Sequence, residues 1–366
     1  MKERNLNADL IRCVAVFSVV SVHFLLNTGF YGIMVVGKKM WAMCMFRSFF
    51  MTCVPMFLVL TGYLMNQKTL SRRYYKGILK TLEIYVLASI ACLLYKKYVM
   101  GNTVTLQTAI LDILNYKGAN YAWYVEMYIG LFFMIPFLNL AYHGLKSKRE
   151  KQILILTMIS LTMLPKILNN FNLVTEGWWL LPSSSKDYNK LVPGFFTSLY
   201  PVTYYFIGAY LREYDIKIKK KLNLLLLILA VAVFGTYNFY RSYGVDFIWG
   251  SNCSWGGENL ITTVLLFVLL MHVKIDKWPS IIKKALVYLS GISFGLYLVS
   301  WIADQIVYHG FLEVYVPEAG DRLYYFPIVI PCVFLLSALG SSILYLVRSV
   351  AGKAIPSIVH LTKKSL

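Results

Sequence analysis

Long apolar runs alternate with short polar, mostly basic, connections along this chain. The runs cover about 9–28, 43–65, 78–95, 122–142, 152–168, 195–211, 222–240, 258–273, 285–308 and 325–347. Each is long enough, or nearly so, to cross the ~30 Å hydrocarbon layer as a helix. The stretch 152–168 is marginal on its own. The pattern predicts an all-α polytopic integral membrane bundle of about ten transmembrane helices. Composition agrees: 58% of residues are hydrophobic and only 14% charged, where a soluble domain carries about 25%.

The net charge of +19 would suit nucleic acid, but its distribution excludes that class. With the N-terminus inside, the loops at 66–80, 143–151, 212–221 and 274–284 are all cytoplasmic and all basic. Such a bias is the positive-inside signature of a multi-pass protein of the cell membrane. An even number of spans then places both termini in the cytoplasm. Residues 1–350 read as one transmembrane domain and 351–366 as a cytoplasmic tail. The longest external segment, about 166–194, contains Glu176-Gly177-Trp178-Trp179 and Pro182-Ser183-Ser184-Ser185. It reads as a partly ordered cap or lid. The first run is too long, and too polar at Arg12 and His23, for a cleaved signal peptide. The six cysteines, Cys13, Cys44, Cys53, Cys92, Cys253 and Cys332, form no C-x-x-C pair. They indicate neither a disulfide framework nor a metal site.

Ionisable residues within the first run are the sharpest chemical signal. Arg12 and His23 are 11 positions apart, about 1100° of helical rotation and within roughly 20° of three full turns. Both side chains therefore share one helix face, about 16 Å apart along the axis. Charge in lipid is costly, so that face should look into a protein-lined, wet interior. Asp9 lies one turn before Arg12 and is placed to pair with it. A lone intramembrane His often does no more than bond a neighbouring helix, and an Arg near a helix end often snorkels to the surface. The functional reading is a polar track leading from the cytoplasm to a titratable base. An unperturbed His pKa near 6.5 suits that work.

Three further groups fit such a track. The loop Ser71-Arg72-Arg73-Tyr74-Tyr75-Lys76 reads first as a positive-inside anchor. It also suits a clamp on the phosphates of a nucleotide-bearing donor, because Arg binds phosphate in two-point fashion. In the second run, Pro55 permits a kink and Gly62 close helix contact. Arg47 is expected near the outer face, as an interfacial anchor or an acceptor-binding cation. Trp123 and Tyr124 suit an aromatic belt or stacking on sugar rings. Glu126 is expected to be solvated there, or to pair with Arg47 or His23.

At these residues the chain resembles the acyltransferase-3 family of integral membrane acyltransferases. The family's first helix carries an Arg/Lys, ten residues, His signature, often with Asp three positions earlier, as at Asp9, Arg12 and His23. Its second helix is matched by Val54-Pro55-Met56-Phe57 and Thr61-Gly62-Tyr63-Leu64, and its Arg-rich loop by Arg72 and Arg73. Later matches are Trp123-Tyr124 leading to Pro136, Tyr205-Phe206-Ile207-Gly208, and Ile292-Ser293-Phe294-Gly295-Leu296-Tyr297-Leu298. The resemblance covers essentially the whole chain. Two positions depart from it: Ser300 stands where many members have His, and Trp123-Tyr124-Val125-Glu126 replaces the Trp-Ser-Leu-Ser-Val-Glu of members fused to an esterase-like domain. The chain resembles a stand-alone form.

The resemblance implies transfer of an acyl group, usually acetyl, from cytoplasmic acyl-CoA to a hydroxyl of an extracytoplasmic glycan, without a metal. It implies catalytic roles for His23, Arg12 and Asp9, with donor contacts at Arg72, Arg73 and Lys76. Arg47, Trp123, Tyr124 and Glu126 would line the acceptor side. The alternative from another class is a secondary transporter or glycan flippase, since carriers also hold intramembrane Arg and His. Carriers often show inverted repeats, and no clear repeat is visible here.

Overall fold

The computed structural model describes residues 4–178, 189–249 and 255–362, with 351–362 as backbone alone. Trp179, Pro182–Ser185 and Cys253, singled out above, lie outside the described residues. Each of the ten apolar runs is helical, and no strand occurs among the described residues. In chain order the helices are α1 (Leu6–Asn27), α2 (Gly37–Phe50), α3 (Cys53–Met65), α4 (Arg72–Lys76), α5 (Leu79–Tyr98), α6 (Leu106–Leu114) and α7 (Trp123–Gly144). Then come α8 (Lys148–Thr162), α9 (Leu164–Leu168), α10 (Tyr200–Tyr214), α11 (Lys220–Arg241), α12 (Gly257–Met271), α13 (Ser280–Asp304) and α14 (Phe326–Thr362). Eight stretches are long and apolar enough to cross a membrane. The other two runs form α10 and α12, of 15 residues each, or about 22 Å of helix. The last helix continues through 351–362, the stretch expected to be a tail.

Sequence explains the local breaks. The Asn5 side chain caps α1 by accepting from the Ala8 N–H at 3.1 Å, which satisfies one free donor of the first turn. The second apolar run, expected as one helix, is two. Pro55 has no N–H to offer the Met51 carbonyl, and the chain turns at Met51 and Thr52 between α2 and α3. That break points Arg47, on the last turn of α2, into the protein.

Tertiary packing centres on α1, which meets α2, α3, α12, α13 and α14. The short α10 survives because it is enclosed: Pro201–Ala209 is buried throughout. It lies against α3 with almost no space between the backbones. A methyl built on Gly62 would land on the Tyr205 carbonyl, and one built on Gly208 on the Val59 carbonyl. Both glycines are therefore fixed by close approach, as small residues are at membrane helix contacts. On its other side, α10 is tied to α8 by Lys151 Nζ, 2.7 Å from Glu213 Oε1. At the ends of the 166–194 segment, Asn169 Oδ1 accepts from the N–H groups of Leu191 and Val192. Asn189 N–H donates to the Phe171 carbonyl at 2.9 Å.

Gly62→Val should cost at least the ~1–3 kcal/mol typical of overpacking, read as a lower Tm or aggregation in detergent. Gly130, on α7, has open space beside it. Gly130→Ala should hold or raise Tm, because Ala is favoured over Gly inside a helix by roughly 0.5–1 kcal/mol.

Candidate functional site

A cavity of about 540 Å³ runs through the bundle between α1, α3, α7 and α13. Its wall follows the face of α1 that bears both Arg12 and His23. Most of the wall is apolar, as at Val19, Val54, Phe57, Leu60 and Phe294. Lys68, Thr81 and Ser293 join Arg12 at the basic end of the bundle. Leu26, Trp123, Tyr124 and Trp255 lie at the other. One cavity thus extends from a cationic end to an aromatic end and passes His23 on the way. The indoles of Trp123 and Trp255 are nearly parallel, at 18° with centroids 6.2 Å apart.

His23 is buried apart from its edge on this cavity. Its Nδ1 lies 3.6 Å from Oδ2 of Asp304, a carboxylate with no solvent exposure at the end of α13. The Tyr121 hydroxyl donates to the same Oδ2 at 2.8 Å. The Tyr121 ring packs on the imidazole with centroids 3.9 Å apart, while the Tyr297 hydroxyl donates to the Tyr121 carbonyl. Asn27 Nδ2 donates to the His23 carbonyl at 2.8 Å and to the Tyr121 hydroxyl at 3.4 Å. Directly after Asp304 the chain runs as a π-helix, Gln305–Leu312, a rare winding that recurs at functional sites.

Among the described residues no Lys or Arg pairs with Asp304. An isolated buried carboxylate is very costly, so Asp304 depends on His23. A proton arriving at His23 would be balanced by a carboxylate already in place. Asp304 was legible in principle, because an acid inside the 285–308 run is as costly as Arg12 or His23. Tyr121 and Trp255 sit in connections with no periodic pattern, and no sequence signal marks them.

At the basic end, Asp9 is 1% exposed and lies behind Arg12, off the cavity wall. It faces Arg4 Nε at 2.6 Å and Arg12 Nη1 at 3.1 Å, and accepts from Ser290 Oγ at 2.6 Å. Its contacts aim Arg12 rather than a substrate. Arg72, Arg73 and Lys76 are exposed on α4 and contribute nothing to the wall. Lys68, not among the expected donor contacts, does.

One acceptor-side expectation is corrected, and of the two readings of Glu126 the solvated one holds. Arg47 is not near a mouth but has no exposed surface at all. Its Nε donates to the Tyr31 hydroxyl at 3.1 Å, and its guanidinium lies 4.6 Å from the Phe247 ring centroid and 5.3 Å from that of Trp249. The helix break at Met51 and Thr52 turned it inward, where aromatic faces and the nearby Glu258 offset its charge. Glu126 is exposed and pairs with neither Arg47 nor His23. The turn of α7 that sends Trp123 and Tyr124 to the cavity sends Glu126 away from it. Cys13, Cys44, Cys53, Cys92 and Cys332 are free thiols, and no metal-binding group occurs among the described residues.

Fold and cavity together define a multi-pass membrane protein with a buried His–Asp pair beside an internal cavity. The family model described as an acyltransferase domain matches residues 5–346, nearly the whole chain. The chain belongs to the acyltransferase-3 family and is a membrane acyltransferase. No curated protein and no solved structure matches it.

Arg47→Leu should destabilise the protein by about 3–5 kcal/mol, as breaking a buried charge network does. Glu126→Gln should stay within about 0.5 kcal/mol, as exposed substitutions do. Melting curves in one detergent compare the two.

Proposed function

We propose that the protein moves a short acyl group, acetyl in the simplest case, from cytoplasmic acyl-CoA to a hydroxyl of a cell-surface or lipid-linked glycan outside the cell membrane. The observation that carries this reading is the single cavity joining the cationic mouth at Arg12 and Lys68 to His23 and the aromatic mouth beyond. The basic loops orient the cationic mouth toward the cytoplasm. There Arg12 and Lys68 receive the donor, and exposed Arg72, Arg73 and Lys76 offer charge to its phosphates. An extended pantetheine arm then follows the apolar wall along the ~16 Å of helix between Arg12 and His23.

On the other side, Trp123, Tyr124 and Trp255 provide flat faces for a sugar ring. The acceptor hydroxyl attacks the thioester carbonyl, and the C–S bond breaks. His23 takes the hydroxyl proton as general base and returns it to the departing thiolate. Asp304 offsets the charge that the imidazole gains between those two steps, as the carboxylate does in a hydrolase triad.

His23→Ala should abolish acyl transfer in proteoliposomes supplied with acyl-CoA and glycan. Unchanged acylation at equal protein level would sink the assignment. Lys68→Ala should raise KM for acyl-CoA several-fold, by the roughly 1 kcal/mol of a charge-assisted contact, with little change in kcat. Mass analysis of surface polysaccharide from cells with and without the protein identifies the group and its acceptor.

A further inference from the structure

We infer that Asn27, Tyr121 and Asp304 act as a directional relay that fixes the tautomer of His23, leaving Nε2 unprotonated toward the cavity. The use made of that nitrogen rests on the acyl-transfer reading; the geometry that fixes it does not.

The direction follows from donor and acceptor chemistry. The amide nitrogen of Asn27 can only donate. One of its hydrogens is held by the His23 carbonyl at 2.8 Å, and the Tyr121 oxygen accepts at 3.4 Å. A tyrosine hydroxyl carries one hydrogen, and that of Tyr121 goes to Asp304 Oδ2 at 2.8 Å. With Asp304 ionised, Oδ2 has no hydrogen of its own and is an acceptor only. It is also the oxygen that faces His23 Nδ1, at 3.6 Å. Two lone pairs opposed across that gap would repel, so the hydrogen between them belongs to Nδ1. Neutral imidazole has one N–H. With Nδ1 carrying it, Nε2 holds the lone pair.

Packing keeps the ring in this orientation. Nδ1 is sealed from solvent and has no hydrogen-bond partner within reach other than this closing gap to Oδ2, while His23 still lines the cavity. The ring therefore meets the cavity by its Nε2 edge. Tyr121 lies over the imidazole at 3.9 Å and is itself tied down by Tyr297, which opposes a ring flip. The 3.6 Å gap leaves room to tighten as the site fills, as catalytic hydrogen bonds often do. Whether His23 takes a proton or briefly carries the acyl group, Nε2 is the reacting atom in both schemes. Asp304 and Tyr121 are positioning residues acting through it.

The test reads the tautomer directly. Full-length protein with ring-15N histidine is reconstituted in lipid bilayers, and the His23 signals are assigned by their loss in His23→Gln. Nδ1 should appear protonated and Nε2 unprotonated in the wild type. With Tyr121→Phe removing the donor to Oδ2, Asp304→Asn presents an amide that can donate to Nδ1, and the proton should move to Nε2. In the same membranes kcat should fall roughly 10²–10⁴-fold, the range for losing a positioned general base, with KM for acyl-CoA unchanged within about twofold. Asp304→Glu should restore part of kcat. Wild-type His23 protonated at Nε2 alone overturns the inference, as does Asp304→Asn with unchanged kcat. Full activity in His23→Ala would instead remove the acyl-transfer reading and leave the tautomer result standing.

Discussion

Charge inside hydrocarbon must be partnered, and this protein's inner architecture follows from that constraint. Each ionisable residue near a bilayer centre costs some 2.5–3.5 kcal/mol on insertion scales. Two buried carboxylates meet that cost by joining the same pair of helices. Asp9 on α1 reaches Ser290 on α13, and Asp304 on α13 reaches His23 on α1. The contacts stand toward opposite ends of the two helices. They fix α1 against α13 in rotation as well as in height. Without them α1 could turn, and Arg12 and His23 would no longer share the cavity.

Room for the cavity is created by close packing elsewhere. Gly62 and Gly208 bring α3 and α10 into backbone contact. The break between α2 and α3 gives the lower half of that apolar run its own direction, so Cys53, Val54 and Phe57 reach the cavity wall. Arg47, just before the break, is held among Tyr31, Phe247 and Trp249. The rings from the connections after α1 and after α11 therefore close over a buried cation, which ties both connections to α2. An open cavity at this depth depends on dense packing on its far side, since membrane helices have no hydrophobic drive of their own to associate.

The cavity's two mouths differ in chemistry as its two proposed substrates do. Cations at one end suit a phosphate-rich donor, and stacked aromatic faces at the other suit a sugar. The apolar stretch between them excludes bulk water, which strengthens every charge interaction at His23. Asp304 lies outside the cavity wall: it faces the base and not the cavity, and no Lys or Arg among the described residues pairs with it.

Much of the protein was determined by the sequence alone. Apolar runs of spanning length, basic loops and the 11-residue spacing of Arg12 and His23 depend only on helix geometry and the cost of transfer into lipid, which are local properties. They fixed the all-α class, the helix positions and the shared face. Tertiary structure decided what no local rule contains. It supplied the partner of His23, since Asp304 is nearly three hundred positions away, and it added Tyr121 and Trp255 from connections without a pattern. It moved Arg47 from rim to core and turned Glu126 outward, because the kink at Pro55 and the rotation of α7 answer to neighbouring helices. The expectation for Arg47 failed because its depth was judged from its place along one helix. Depth is a property of the whole packed bundle.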